Sequence, residues 1–172
     1  MITICSACGL AAKNIWPEIY RQTTGKEMPF RVKDFSEFIT NDYLLTNKLT
    51  DILHAVELKA TYHDPCTLRR GQGIYIEPRQ LLKAIPKLDF FEMPGADNCC
   101  GGGGGLRMNN LELSQRILNR KLSLIKEIDV KAIVTSCPTC IKQMRVELAK
   151  QGKSKLKVLH IISILEQSLK DQ

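Results

Sequence analysis

One segment of the chain reads Val130-Lys131-Ala132-Ile133-Val134-Thr135-Ser136-Cys137-Pro138-Thr139-Cys140 and joins an apolar run to a Cys-x-x-Cys pair. The continuous apolar residues at its centre predict a buried strand over 130–136. The periodicity after the pair predicts a helix over 141–150. Because amides at a helix N-terminus favour thiolate, this pair is placed where cysteine ligates metals or reacts.

The same strand-then-helix order recurs along the chain. Strands are predicted over 2–4, 58–62, 88–93, 130–136 and 156–159, and the first of them is predicted to be short and buried. Helices are predicted over 11–20, 32–41, 44–55, 78–84, 110–128, 141–150 and 162–169, with a loop over 69–73. This alternation predicts an α/β fold with a mostly parallel sheet and helices on both of its faces.

The cysteines fall just after predicted strands. Parallel strands end at one edge of a sheet, and ligand sites of open α/β folds form at that edge. Two histidines also lie at strand ends, His63 and His160, where they could ligate, donate to a sulfur or supply a proton; the alternative is a hydrogen-bonded histidine without such a role. The carboxyl edge therefore gathers five cysteines into one predicted site: Cys66, Cys99, Cys100, Cys137 and Cys140.

A glycine run follows the adjacent pair Cys99-Cys100 and extends over 101–105. Glycines remove every side chain from one wall, and their backbone can approach a bulky ligand closely. Bare amides beside thiolates suit an inorganic cluster, because hydrogen bonds to sulfur tune its charge. Gly101 and Gly102 are therefore predicted cofactor contacts. The alternative is a flexible linker beside two buried cysteines.

Composition narrows the class of protein. The chain has 172 residues, seven cysteines and a net charge of +7. An odd cysteine count with two Cys-x-x-Cys pairs, and no signal for secretion, predicts metal or redox chemistry in the cytoplasm rather than a disulfide framework. Scattered basic residues and few aromatics argue against nucleic acid as a partner. Because no apolar run reaches membrane-spanning length, the sequence predicts no membrane insertion.

An internal repeat links the two ends of the chain. The segment 2–8 resembles 134–140, since both are strand followed by Cys-x-x-Cys, and 31–39 resembles 157–165. We therefore interpret 1–57 as the tail of a truncated first cysteine-rich unit and 58–172 as a complete unit, packed as one globular body. Cys5 and Cys8 then form a half-site, which could complete a cluster with another chain, pair internally, stay empty or act as a redox dithiol.

The 110–128 helix shows amphipathic spacing. Its pattern predicts an inward apolar side and an outward basic side. The inward residues are Leu113, Ile117, Leu118, Leu122 and Ile125, and the outward ones are Arg116, Arg120 and Lys121. Within the turn before Cys66, Asp64 is predicted to cap the turn through its side chain.

Three motifs together resemble the CCG, or cysteine-rich, domain family. They are Tyr62-His63-Asp64-Pro65-Cys66, Asn98-Cys99-Cys100-Gly101 and Thr135-Ser136-Cys137-Pro138-Thr139-Cys140. Members include one of the subunits of heterodisulfide reductase and the glycolate oxidase iron–sulfur subunit. The resemblance implies an iron–sulfur oxidoreductase subunit or fragment, in which these cysteines hold a [4Fe–4S] cluster, non-cubane in some members, and pass electrons to a partner or a disulfide-like substrate.

Two alternatives stay open beside that interpretation. Four thiolates also hold Zn²⁺, which would make this a structural or interaction module without redox chemistry; bare cysteines could instead work as a dithiol oxidoreductase. The family's second unit and ferredoxin-like part are not found in this sequence. We therefore expect partners from a redox complex, such as a flavoprotein or a ferredoxin-like iron–sulfur protein, or a homodimer that covers the unfinished sheet edge.

Overall fold

In the computed structural model, which describes residues 1–44, 49–126 and 128–169, six strands alternate with helices. The strands are β1 (Ile2–Thr3), β2 (Lys33–Asp34), β3 (Leu58–Tyr62), β4 (Leu88–Phe91), β5 (Ala132–Thr135) and β6 (Lys157–His160). The α-helices are α1 (Ser6–Asn14), α2 (Trp16–Thr24), α3 (Phe35–Ile39), α4 (Cys66–Gln72), α5 (Glu77–Ala84), α6 (Leu106–Asn109), α7 (Leu111–Ile125), α8 (Pro138–Lys150) and α9 (Ile161–Leu169). A π-helical turn spans Thr40–Leu44, and a 3-10 turn spans Thr50–Ile52. The predicted α/β class is confirmed.

The main sheet is parallel and has the order β4-β3-β5-β6. All four residues of β5 are buried, and they alternate between two cores. Ala132 and Val134 pack in a core with residues of α5 and α9, whereas Ile133 packs in a second core with residues of α7 and α8. Helices therefore cover both faces, as predicted, and the carboxyl ends of the strands remain free to form a site.

A separate two-stranded parallel sheet is formed by β1 and β2. Its register pairs Ile2 with Lys33 and Thr3 with Asp34. β5 and β6 pair Val134 with Leu159 and Thr135 with His160. Aligning 2–8 with 134–140 and 31–39 with 157–165 places the two pairs of the small sheet on the two pairs of β5 and β6. The shared register supports the repeat interpretation. The prediction that 2–4 is buried is wrong, because Ile2 is 45% and Ile4 58% exposed.

The small sheet is attached to the main sheet through backbone groups at its cysteine end. The Ser6 N–H donates to the Ser136 carbonyl at 3.2 Å. The Ile4 carbonyl lies 2.9 Å from His160 Nε2, at the end of β6. Both carboxyl edges therefore meet in the same region of the molecule.

Several helix boundaries differ from the predictions. The helix predicted over 11–20 is two helices with a break at Ile15, because Pro17 has no N–H to continue the ladder. The loop predicted over 69–73 is wrong, since α4 runs to Gln72 and ends at Gly73 with φ of 73°. The predicted 32–41 helix contains β2 and α3, and part of the predicted 44–55 helix falls at 45–48, outside the described residues.

The outward placement of Lys121 is also wrong. This residue is 1% exposed, and it lies on the buried side of α7 with Leu118 and Leu122. The adjacent Arg120 is exposed, as predicted. The inward placement of Leu113 is wrong, because this residue lies in the first turn of α7 and is 42% exposed. Across the part of the chain that the structure describes, no helix is long and apolar enough to cross a membrane.

Candidate metal centre

Three loops bring cysteines to the carboxyl edge of the main sheet. Cys66 opens α4 after β3, Cys99 and Cys100 follow β4, and Cys137 precedes α8 as its N-cap. Cys140 lies in the first turn of α8. The topology predicted from the sequence therefore does place remote cysteine segments together, because β4, β3 and β5 are parallel neighbours.

The centre of the site is a buried pair of sulfurs. Cys100 Sγ and Cys140 Sγ lie 3.2 Å apart, and both residues are buried. A ring nitrogen of His63 joins them in a group whose three atoms all lie within 4.8 Å of one another. Three groups at this spacing can be donors to one metal ion or cluster.

The remaining cysteines surround that group without entering it. Among the described residues, the 4.8 Å group does not include Cys66, Cys99 or Cys137. Cys99 nevertheless interacts with its neighbours, since its pKa is raised first by a hydrogen bond with Cys100, then by burial, with the Cys66 charge adding to the effect.

The cysteine thiols of the site differ in the direction of their pKa shifts. The pKa of Cys100 is lowered, first by a hydrogen bond with Cys140 and then by one with Cys99. The pKa of Cys137 is lowered to about 6, first by a hydrogen bond from Cys140, with backbone amides at the start of α8 contributing. Cys140 is hydrogen-bonded to both, and its own pKa is raised. The lowered pKa values of Cys100 and Cys137 favour thiolate, the form that binds metals.

The glycine run supplies a backbone wall. The Gly101 N–H donates to Cys99 Sγ at 3.2 Å, and the Gly101 carbonyl accepts from Ser114 Oγ at 2.8 Å. Gly101 has φ of 73°, and a Cβ there would lie 2.6 Å from the Ser114 carbonyl oxygen. A Cβ on Gly102 would meet Thr139 at 3.2 Å. Only glycine lets this loop pack between α7 and α8.

The two candidate histidines have different surroundings. His63 is 1% exposed, and among the residues that the structure describes neither of its ring nitrogens has a hydrogen-bond partner. His160 has both nitrogens engaged, since Nδ1 accepts from the Ile162 N–H at 3.2 Å and Nε2 lies 2.9 Å from the Ile4 carbonyl. A buried imidazole with two unpaired nitrogens is unfavourable unless a ligand supplies a partner. A catalytic role for His160 stays a prediction, and its bonds favour a structural one.

The turn between β3 and Cys66 is held by an ion pair rather than by a side-chain cap. The helix that Cys66 opens has no side-chain hydrogen bond at its N-cap. The Asp64 carboxylate, 1% exposed, accepts from Arg69 at 2.7 Å and from both terminal nitrogens of Arg79 at 2.8 and 2.9 Å. Local turn rules do not predict the Asp64–Arg79 pair, because 15 positions separate the two residues in sequence.

Cys5 and Cys8 lie beside the main site. The pKa of Cys8 is raised first by a hydrogen bond with Cys5, and the charge of Cys137 also contributes. Ser6, which no sequence signal singles out, is fully buried between the two regions, and its hydroxyl accepts from Thr67 at 2.9 Å. The Cys5–Cys8 pair is therefore a neighbour of the Cys137–Cys140 pair.

Comparison with known proteins identifies the pattern. A family model described as the cysteine-rich domain, CCG, matches residues 60–145. A subunit of the fumarate reductase (CoM/CoB) of Methanothermobacter marburgensis is 36% identical over 99% of this chain and 32% of its own length. The "Probable glycolate oxidase iron-sulfur subunit" of Bacillus subtilis is 35% identical over 78% of this chain and 30% of its own length.

A third relative is a subunit of the dihydromethanophenazine:CoB--CoM heterodisulfide reductase of Methanosarcina acetivorans. It is 29% identical over 96% of this chain and 39% of its own length. The chain thus spans about a third of the length of these three relatives. Two of the three carry an iron–sulfur or heterodisulfide reductase description in their names.

Proposed function

Because the chain belongs to the CCG cysteine-rich domain family, we propose that it is an iron–sulfur subunit, or part of one, in an oxidoreductase complex. The cluster is of the [4Fe–4S] type, and the thiolates exceed the four that a cubane needs. The observation that carries the proposal is the buried Cys100–Cys140 sulfur pair at 3.2 Å. The proposed ligand set is Cys66, Cys99, Cys100, Cys137 and Cys140, with Gly101 and Gly102 lining the cofactor.

The residues at the site fit such a group. Thiolates are the ligands that iron–sulfur clusters take, and the Gly101 amide already donates to one of them. The two ring nitrogens of His63 are buried and find no hydrogen-bond partner in the described part of the chain. A cluster with sulfur acceptors would give this imidazole a hydrogen-bond partner.

The chemistry divides between the cofactor and the chain. When bound, the cluster supplies electron transfer to a partner or to a disulfide-like substrate. The Gly101 N–H and the first amides of α8 stabilise negative charge on Cys99 and Cys137. His63, fixed through its backbone N–H to the Val134 carbonyl at 2.9 Å, is the buried polar side chain placed to donate toward the sulfurs.

The names of the relatives support the disulfide-like substrate. One is called a heterodisulfide reductase subunit, and another a CoM/CoB fumarate reductase subunit. Each name describes a subunit, which supports partner subunits here as the source of electrons.

Residues 1–57 are proposed to be the tail of another cysteine-rich unit. The support is the shared register of β1–β2 and β5–β6. β5 has β3 on its other side, whereas β1 pairs only with β2 among the described strands. Strands equivalent to β3 and β4 would carry the further cysteine ligands that a complete site at Cys5 and Cys8 needs. These strands could belong to the same polypeptide or to another.

The test is anaerobic purification followed by iron, acid-labile sulfide and zinc analysis, with visible spectra before and after dithionite. We expect iron and sulfide in equal amounts and a broad absorption that bleaches on reduction. One zinc per chain without colour would replace the proposal with the structural-module alternative. Neither metal, with all seven thiols titratable, would favour the dithiol oxidoreductase.

A further inference from the structure

A buried lysine lies behind the cysteine loop. Lys121 is 1% exposed, and its ammonium donates to the Gly95 carbonyl at 2.6 Å and to the Ala96 carbonyl at 2.8 Å. Both of these partners are neutral carbonyls rather than carboxylates. Within the described ranges no carboxylate contacts this ammonium, so it is held inside the protein without a contact counter-ion, an arrangement that is uncommon for lysine.

The carbonyls that receive this ammonium belong to the turn that leads into Cys99 and Cys100. A hydrogen bond closes the turn, because the Ala96 N–H donates to the Met93 carbonyl at 3.0 Å. The Ala96 carbonyl also accepts from the Asp64 N–H at 3.0 Å, which joins the turn to the segment before Cys66. Lys121 thus binds the point where two cysteine-bearing loops meet.

The charge of Lys121 is maintained at neutral pH. Burial lowers its pKa to about 8, and the nearby acidic groups Asp64, Asp97 and Cys100 oppose this shift. An ammonium that remains buried needs nearby negative charge to offset its desolvation. One of these opposing groups, Cys100, is a cysteine of the proposed cluster.

We propose that Lys121 is a positioning residue that holds the Cys99–Cys100 loop and sets a buried positive charge beside the cysteine-bound cluster, which favours the cluster's reduced state. The inference rests on the proposed function. Reduction adds one negative charge to the site, and a fixed cation in a low-dielectric interior stabilises that charge more than it would in water. Removing the cation therefore shifts the equilibrium toward the oxidised state.

The test is a potentiometric titration of the cluster in the loaded protein. Lys121→Met keeps most of the side-chain volume but removes the charge, Lys121→Arg keeps the charge, and Arg120→Met removes one charge from the exposed side of the same helix. Iron and sulfide per chain are measured for every variant. We expect Lys121→Met to lower the equilibrium constant for reduction about tenfold, which is about 59 mV for one electron, while Arg120→Met leaves it unchanged.

The outcomes distinguish a role for the positive charge of Lys121 from a role in packing alone. A fully loaded Lys121→Met protein with the wild-type potential overturns the inference, even if its stability falls. If Lys121→Met does not hold the cluster, retention in Lys121→Arg supports a need for the cation, and loss in both variants overturns it. Absence of iron and sulfide in the wild-type protein would contradict the proposed function itself, and the inference would fall with it.

Discussion

The sulfurs of Cys100 and Cys140 lie 3.2 Å apart although 40 residues separate them in sequence. One follows β4 and the other lies in the first turn of α8 after β5, and β3 lies between these two strands in the sheet. The contact therefore spans the carboxyl edge of the sheet. It joins two cysteine motifs that are remote from each other along the chain.

This contact predicts which disulfide forms when metal is absent. A disulfide needs the sulfurs at about 2.05 Å, so Cys100 and Cys140 need only a small approach. Metal-free protein treated with diamide should yield a Cys100–Cys140 crosslink, with both thiols oxidised and diamide reduced. Peptide mapping without reductant detects it. A map that contains only a Cys5–Cys8 link would contradict the geometry.

Gly101 is predicted to tolerate no side chain. Gly101→Ala would combine positive φ with a Cβ 2.6 Å from a backbone oxygen, so we expect a loss of about 2 kcal/mol or more in the free energy of unfolding. At Gly103 a Cβ would have no atom within 4 Å, and φ is not positive. Gly103→Ala should change stability by less than about 0.5 kcal/mol in urea denaturation; equal losses would refute the assigned role of Gly101.

The ion pair between Asp64 and Arg79 is predicted to hold the turn before Cys66. Arg79→Met leaves a buried carboxylate with only Arg69, and we expect a loss of about 3 kcal/mol in the free energy of unfolding. The exposed pair of Lys87 and Glu57 serves as the control. Lys87→Met should leave the denaturation midpoint unchanged, because exposed ion pairs contribute little.

The fold class and the convergence of the cysteines could be predicted from the sequence, because both follow from strand–helix alternation and from the shared direction of parallel strands. The burial of Lys121 could not, since helical periodicity records which positions are apolar and not which loops later cover them. The helix at Cys66 escapes prediction because Pro65 indicates a turn, whereas it precedes the first turn of α4. Asp64 pairs with an arginine 15 residues away, which local turn rules do not consider.

The outer face of the small sheet and α2 is predicted to be an interface. α2 buries none of its residues, and Ile15, Trp16 and Ile19 are 53%, 45% and 54% exposed. We expect concentration-dependent association in analytical ultracentrifugation, weakened in the Trp16→Ser/Ile19→Ser double variant. Ile76→Ser, at a comparably exposed site before α5, should not weaken it. A wild-type chain that stays monomeric at several hundred micromolar, with no protein partner bound, would count against this face.

The central claim is that remote cysteines hold one cluster, and the most direct measurement is iron and sulfide per chain in two single-cysteine variants. Cys100 is buried in the sulfur pair, whereas Cys8 is exposed beside it. After anaerobic reconstitution, wild-type protein and Cys8→Ala should each carry about four iron and four sulfide, and Cys100→Ala should lose most of both. Full occupancy in Cys100→Ala would contradict the account.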